Sequence, residues 1–146
     1  MNIYVASSWR NGRHEDVVAA ITAAGHAVYD YRHPAPGVGG FQWSELDPHW
    51  QQWDAAAQRD ALNYDKAVEG YLFDIRALAD CDACVLVMPS GRSAHLEAGF
   101  ARGRGATTIV LLDDDAEPEL MYKMADHLCL SIAEVVDALA VEAKED

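Results

Sequence analysis

The sequence predicts an α/β fold, a flavodoxin-like three-layer α/β/α sandwich around a parallel sheet of about five strands. Three observations predict it. Short apolar runs alternate with amphipathic segments along the chain, beginning with a strand–turn–helix–strand unit. The runs at 3–6, 83–88 and, after two threonines, 109–112 are continuously apolar, which is the pattern of strands covered on both faces. The chain has 146 residues, 51% of them hydrophobic, enough for one core, so 1–146 is read as a single domain.

Residues 3–6 form the first strand, and Ser7-Ser8-Trp9-Arg10-Asn11-Gly12-Arg13 is a polar turn. A helix follows with Val17, Val18, Ile21 and Ala24 at helical spacing, and Gly25 ends it. Residues 26–31 form the second strand. The proline and glycine of His33-Pro34-Ala35-Pro36-Gly37-Val38-Gly39-Gly40 mark a loop. It runs on into a segment in which Trp43, Trp50 and Trp53 share roughly one helical face. Packing is the simpler role for these rings, and a wall against a flat base is the functional one. Residues 65–80 form a helix with Val68, Tyr71, Leu72, Ile75 and Leu78 on one side. Asp74 falls beside that stripe, where it can look into a cleft at the sheet edge. After the third strand at 83–88, the loop Pro89-Ser90-Gly91-Arg92-Ser93 leads into a helix running to about Arg104. Residues 107–112 form the fourth strand, 118–125 a short helix and 127–130 a fifth strand. Ser131-Ile132-Ala133-Glu134 is a capping-box signature for a last helix that buries Ile132, Val135, Val136 and Leu139. Its acidic tail is expected to fray.

A net charge of −13 argues against nucleic acid as a partner, because such a partner needs a basic face. No apolar run approaches the roughly 20 residues of a membrane span, and the first residues lack the basic start of a signal peptide. The expectation is a cytoplasmic protein without a membrane partner. The three cysteines, Cys81, Cys84 and Cys129, are odd in number and argue against a disulfide framework. Cys81 and Cys84 form a C-x-x-C, read here as two positions of a buried strand because no second pair completes a zinc site. The six histidines are scattered without metal-ligand spacing, and no metal or cofactor is expected. His33, in the loop, is a candidate for touching a base. Asp113-Asp114-Asp115 is read as a solvated turn.

Ligands of open parallel sheets bind outside the carboxyl ends of the strands, near the point where strand order reverses. That rule sets the loop 7–13 beside the loop 89–93. Both are rich in hydroxyls, glycine and arginine, and both precede a helix, whose N-terminus attracts anions. Together they form a candidate phosphate cradle. Glu97 lies about one turn into the second helix, from where its carboxylate can point back to the cleft; the plain alternative is a glutamate that merely favours the helix dipole. Tyr4 projects from the end of the first strand, with a half-buried strand tyrosine as its plain reading.

These residues resemble a known family. Asn2-Ile-Tyr4-Val-Ala-Ser-Ser8-Trp-Arg10-Asn-Gly12-Arg13 resembles the opening of the nucleoside 2-deoxyribosyltransferase superfamily, and most of all its branch of 2'-deoxynucleoside 5'-phosphate N-hydrolases. Phe73-Asp74, followed by Asp80-Cys81-Asp82 and the third strand, is similar to the family's acid-bearing helix. Gly91-Arg92-Ser93-Ala94-His95-Leu96-Glu97-Ala98-Gly99 is similar to its glycine-rich loop and Glu-x-Gly nucleophile motif. The three motifs occur in order over about residues 2–112.

The resemblance implies Glu97 as nucleophile, Asp74 as the acid that handles the proton on the base, and Tyr4 as support for nucleophile and sugar. It implies a substrate-binding set of Ser7, Ser8, Arg10, Asn11, Gly12, Gly91, Arg92 and Ser93, with Ser8, Arg10, Gly12 and Ser93 at a 5'-phosphate. Trp43 is a further binding candidate as part of the aromatic wall. The ligand would be a small nucleoside or nucleotide. The resemblance also implies a homodimer or larger assembly in which a neighbour closes the site, with 121–127 as the candidate contribution. The chain departs from the transferases at Gly91, where they carry a second aspartate, and at the neighbouring Arg92. Both departures fit a phosphorylated substrate better than a free nucleoside.

The chemistry is coherent. Breaking an N-glycosidic bond develops positive charge at C1', which a carboxylate on one face stabilises or traps covalently. The base leaves poorly as an anion and needs a proton donor. The principal reading is hydrolysis of a (deoxy)nucleoside 5'-monophosphate. The alternatives are a base-exchanging deoxyribosyltransferase, a non-catalytic nucleotide sensor, and a cytokinin-activating phosphoribohydrolase, whose loop has two consecutive glycines that 90–97 keeps only in part.

Overall fold

Largely apolar runs make the three central strands of the computed structural model, which describes residues 1–144. These are β1 (Asn2–Ala6), β3 (Ala83–Val87) and β4 (Thr107–Leu111), with β2 (Ala27–Asp30) and β5 (His127–Cys129) at the edges. All pairings are parallel, in the order β2-β1-β3-β4-β5. Every residue of β3 is buried, whereas β2 and β5 are only partly covered.

The pleat divides the core into two layers. Ile3, Val5, Val85, Val87, Ile109 and Leu111 face α1 (His14–Ala23) and α5 (Ile132–Glu142), meeting Val17, Ile21, Val135 and Leu139. Tyr4, Ala6, Cys84, Leu86 and Val110 face α3 (Asp65–Asp80) and α4 (Arg92–Gly103), meeting Leu78, Ala94, Ala98 and Ala101. Each fully buried Ile, Val or Leu contributes roughly 1.5–3 kcal/mol. Gly25 ends α1 at φ 91°, a backbone region that costs glycine nothing. Ser131 caps α5 by accepting from the Glu134 amide, while Glu134 reaches back to the Leu130 amide at 2.7 Å. The last two residues of the tail expected to fray, 145–146, lie outside the described residues.

Two elements differ from expectation. Only part of the predicted apolar stripe of α3 is buried: Ile75 and Leu78 pack in the core, whereas Val68, Tyr71 and Leu72 are 40%, 62% and 38% exposed. Smaller residues share the inner face, with Ala67 buried and Gly70, Asp74 and Ala77 half-buried. Phe41 occupies the space over Gly70, where a Cβ would come within 2.7 Å of it. Asp74 therefore lies in the middle of the packed face.

The tryptophan segment is not one helix. Trp43–Glu45 and Trp50–Gln52 are separate 3₁₀ turns, followed by a helix that the pattern did not indicate, α2 (Ala55–Ala61), capped by Asp54. The Asp47 carboxylate holds the break, accepting from the His49 amide at 2.8 Å and the Trp53 indole at 2.7 Å. The short helix expected at 118–125 is a 3₁₀ helix, Leu120–Met124. Of the C-x-x-C pair only Cys84 lies in a strand; Cys81 follows α3, and its thiol donates to the Leu78 carbonyl at 3.3 Å.

Candidate active site

The strand order reverses between β2-β1 and β3, and the carboxyl ends of β1 and β3 are where open parallel sheets take their ligands. The loop after β1 is built by side chains that bind main chain. Asn11 Nδ2 donates to the carbonyls of Val87 at 2.9 Å and Pro89 at 3.0 Å. Arg13 donates to those of Met88 and Leu112. Arg32, from beyond β2, donates to the carbonyls of Ser8, Trp9 and Asn11 at 3.0–3.2 Å. Its guanidinium also lies 5.6 Å over the Trp9 ring. The Ser8 amide donates to Ser90 Oγ at 3.1 Å, so the two loops touch.

Behind the loop lies a directed polar chain. Asp30 Oδ1 accepts from His14 Nε2 at 2.8 Å, which leaves His14 Nδ1 to accept from Ser7 Oγ at 2.7 Å. Tyr31 lies 3.2 Å from the same Ser7 oxygen. Burial, partly offset by Asp30, pushes the His14 pKa down, so the ring is kept neutral. Ser7 and Asn11, both buried, spend their side chains on this framework and shape the loop from inside.

The surface of the cradle is made by the remaining residues. Arg10 and Arg92 are exposed, and neither guanidinium enters an ion pair among the described residues. A Cβ placed on Gly12 or Gly91 would meet nothing within 4 Å, so open space lies over both. Helix α4 starts at Gly91 without a side-chain cap, which leaves its first amides free for an anion. Ser93 Oγ donates to Glu97 Oε1 at 3.1 Å.

Three expected catalytic residues converge beside the cradle. Tyr4, at the centre of β1, is wholly buried, and its hydroxyl has no hydrogen-bond partner. Glu97 comes from α4 and Asp74 from α3, both packed on the same face of the sheet. Glu97 is pushed up to about 7, first by burial and then by the charge of Asp74; Ser93 and the nearby Tyr4 hydroxyl pull in the other direction. Asp74 is also pushed up by burial, partly offset by a hydrogen bond from Tyr29. Burial and the two carboxylates together suppress ionisation of Tyr4. The charge of Asp74 thus favours the protonated form of Glu97.

Tyr29 was not singled out by its position in the second strand. The register sets Tyr4 opposite Tyr29, and the rings stack at 5.2 Å with 22° between planes. Tyr29 OH donates to Asp74 Oδ1 at 2.8 Å. His95 is a second omission: its ring bonds the Gly91 carbonyl at 2.7 Å and Tyr122 OH at 2.9 Å, tying the 120–124 turn to the start of α4. Arg32, His14 and Asp30 carried no sequence motif. Trp43 packs edge-on against Phe41 at 4.8 Å and Trp53 at 5.8 Å, within an aromatic cluster. His33 is exposed and lines a surface hollow formed by 33–39. Among the described residues no three His, Cys, Asp or Glu side chains are grouped to hold a metal, and no helix is long and apolar enough to cross a membrane.

No protein-family model and no curated protein matches the chain significantly. Its structure is similar to that of the CMP N-glycosidase BcmB of Clostridium botulinum, with a TM-score of 0.52 and 15% sequence identity. The likeness covers 96% of this chain and 99% of that one, and it shows the fold over essentially the whole length. The three-layer sandwich with its five-stranded parallel sheet is thus the architecture expected from the sequence.

Proposed function

We propose that the protein is an N-glycosidase that hydrolyses a (deoxy)nucleoside 5'-monophosphate to free base and sugar phosphate. The observation that carries this reading is the pairing of Glu97 and Asp74 around Tyr4, with the Glu97 pKa at about 7, beside a helix N-terminus and two unpaired arginines. The fold supports it, since a CMP N-glycosidase shares it. The motif resemblance supports it independently. The chain acts as one domain, on a small molecule rather than nucleic acid or membrane, and in the cytoplasm.

In this mechanism the Glu97 carboxylate attacks C1', and the C1'–N bond breaks with its electron pair going to the base. Asp74 gives the departing base its proton. Water then attacks C1' of the glycosyl ester, returning its proton to Asp74 and freeing the Glu97 carboxylate. The reaction thus needs the pair's single proton on Asp74 and its charge on Glu97. Arg10, Arg92, Ser8, Ser93 and the free amides near Gly12 and Gly91 hold the 5'-phosphate. Trp43 belongs to the loop that covers the base side. No step needs a cofactor or a metal.

A second copy of the chain closes the site, contributing the segment 121–127, in which Met121 and Met124 are 55% and 46% exposed.

The test is incubation of wild type and Glu97→Gln with nucleosides and their 5'-monophosphates, ribo and deoxy, with and without an acceptor base, reading free base by chromatography. Base release from monophosphates, reduced at least ~10³-fold in Glu97→Gln, is the expected result. Release that does not depend on Glu97 overturns the nucleophile, and exchange exceeding hydrolysis overturns the hydrolase.

A further inference from the structure

We propose that Tyr29 is a positioning residue whose hydroxyl holds Asp74 ionised in the free protein, so that the proton shared by the carboxyl pair rests on Glu97 until substrate arrives. The inference rests on the catalytic roles proposed for Asp74 and Glu97.

The geometry makes Tyr29 a fixed donor. Its ring is held by the stack on Tyr4, and its hydroxyl donates its one proton to Asp74 Oδ1 at 2.8 Å. A hydroxyl bonded to a carboxylate is stronger than one bonded to a neutral carboxyl, so the bond favours the charged form of Asp74. The titratable groups around Asp74 are Tyr29 from β2, Tyr4 from β1 and Glu97 from α4, with Asp30 next to Tyr29 on its strand. Among the described residues no cation pairs with Asp74, so Tyr29 is the donor that offsets its burial. Glu97, in turn, feels Asp74 as a negative charge.

This arrangement is the reverse of the one the reaction needs. In the free protein the bond from Tyr29 favours the charge on the acid, and that charge favours the proton on the nucleophile. A base that presents a hydrogen-bond acceptor to Asp74 is satisfied only by the protonated carboxyl. Its binding draws the proton from Glu97 to Asp74, with no net change of charge, and that single shift unmasks the nucleophile and arms the acid. Recognition of the base and activation of Glu97 become one event. Substrates whose base offers no acceptor at that point leave the nucleophile masked.

The experiment is a ¹³C-carboxyl NMR titration of the free full-length protein as wild type, Tyr29→Phe and Asp74→Asn, beside pH–rate profiles on the monophosphate panel. In wild type, Asp74 titrates below Glu97. In Tyr29→Phe the Asp74 midpoint rises by about one pH unit or more and the Glu97 midpoint falls. Asp74→Asn lowers the Glu97 midpoint in the same way, and it serves if Tyr29→Phe does not fold. A Glu97 midpoint unmoved by Asp74→Asn, or an Asp74 midpoint unmoved in folded Tyr29→Phe, overturns the inference even in an active enzyme. Absence of base release by wild type overturns the hydrolase instead, while the titration still reads the role of Tyr29.

Discussion

Ser93 and Glu97 face each other across one turn of α4, the hydroxyl donating to the carboxylate at 3.1 Å. A residue of the proposed phosphate cradle and the proposed nucleophile thus share one hydrogen bond. Ser93 favours the ionised form of Glu97 against burial and the charge of Asp74.

Replacing Ser93 by Ala removes that offset and raises the Glu97 pKa above about 7. The limb of the kcat/KM profile that reports Glu97 ionisation then moves to higher pH, by roughly half to one unit. A profile measured from pH 5 to 9 on a cleaved monophosphate checks this. An unmoved limb detaches Ser93 from the ionisation of Glu97.

Glu97 also costs stability. Its pKa rises from 4.5 to about 7 on folding, so its contribution is fully present below pH 4.5 and is lost as pH rises to about 7. The shift corresponds to about 3 kcal/mol at most. Glu97→Gln carries no such cost. Its urea midpoint is expected to exceed that of wild type at pH 8, by the equivalent of about 2 kcal/mol, with the difference disappearing near pH 4. Equal midpoints at pH 8 would show that Glu97 is not desolvated.

Arg32 clamps three carbonyls of the first loop without facing the cradle itself. Arg32→Met frees the loop and weakens the hold on phosphate. The expected outcome is a KM for monophosphates raised about tenfold with kcat much less changed, as when binding common to ground and transition states is lost. Steady-state kinetics decide it; a fall in kcat at constant KM contradicts a role confined to the loop.

The role of 121–127 is tested by assembly. Sedimentation of wild type should give twice the chain mass. Met121→Glu, which puts a charge on an exposed apolar side chain of that segment, should give the monomer while leaving the melting temperature of the fold nearly intact. A wild-type monomer at assay concentration places the partner elsewhere or removes it.

Strand positions were legible because a buried parallel strand has one local signature, an unbroken apolar run, as at 83–87. The bounds of α3 were legible too, its orientation only in part. Periodicity ranks large apolar residues as inner, which holds for Ile75 and Leu78; toward its start the helix packs through Ala67 and Gly70, and Phe41, far away in sequence, fills the space over Gly70. Tyr29 was hidden for a related reason. Nothing within β2 marks it, and its role follows from its register opposite Tyr4. Glu97, Asp74 and Tyr4 stood out through the family resemblance, and the structure sets the three side chains near one another. Ser7 and Asn11 were legible as residues of the same loop, although their side chains turn inward, which only the partners His14 and Val87 reveal.

The bonds from Asn11 and Arg13 end on main-chain carbonyls, at Val87, Pro89, Met88 and Leu112. A carbonyl is supplied by any amino acid, so these joints place no demand on the side chains at 87, 88, 89 or 112. Across distant relatives the two polar positions should persist while the residues they grip vary within the limits that packing alone sets. Methods that infer proximity from correlated substitution will find no signal at this seam, although it sets the geometry of the cradle.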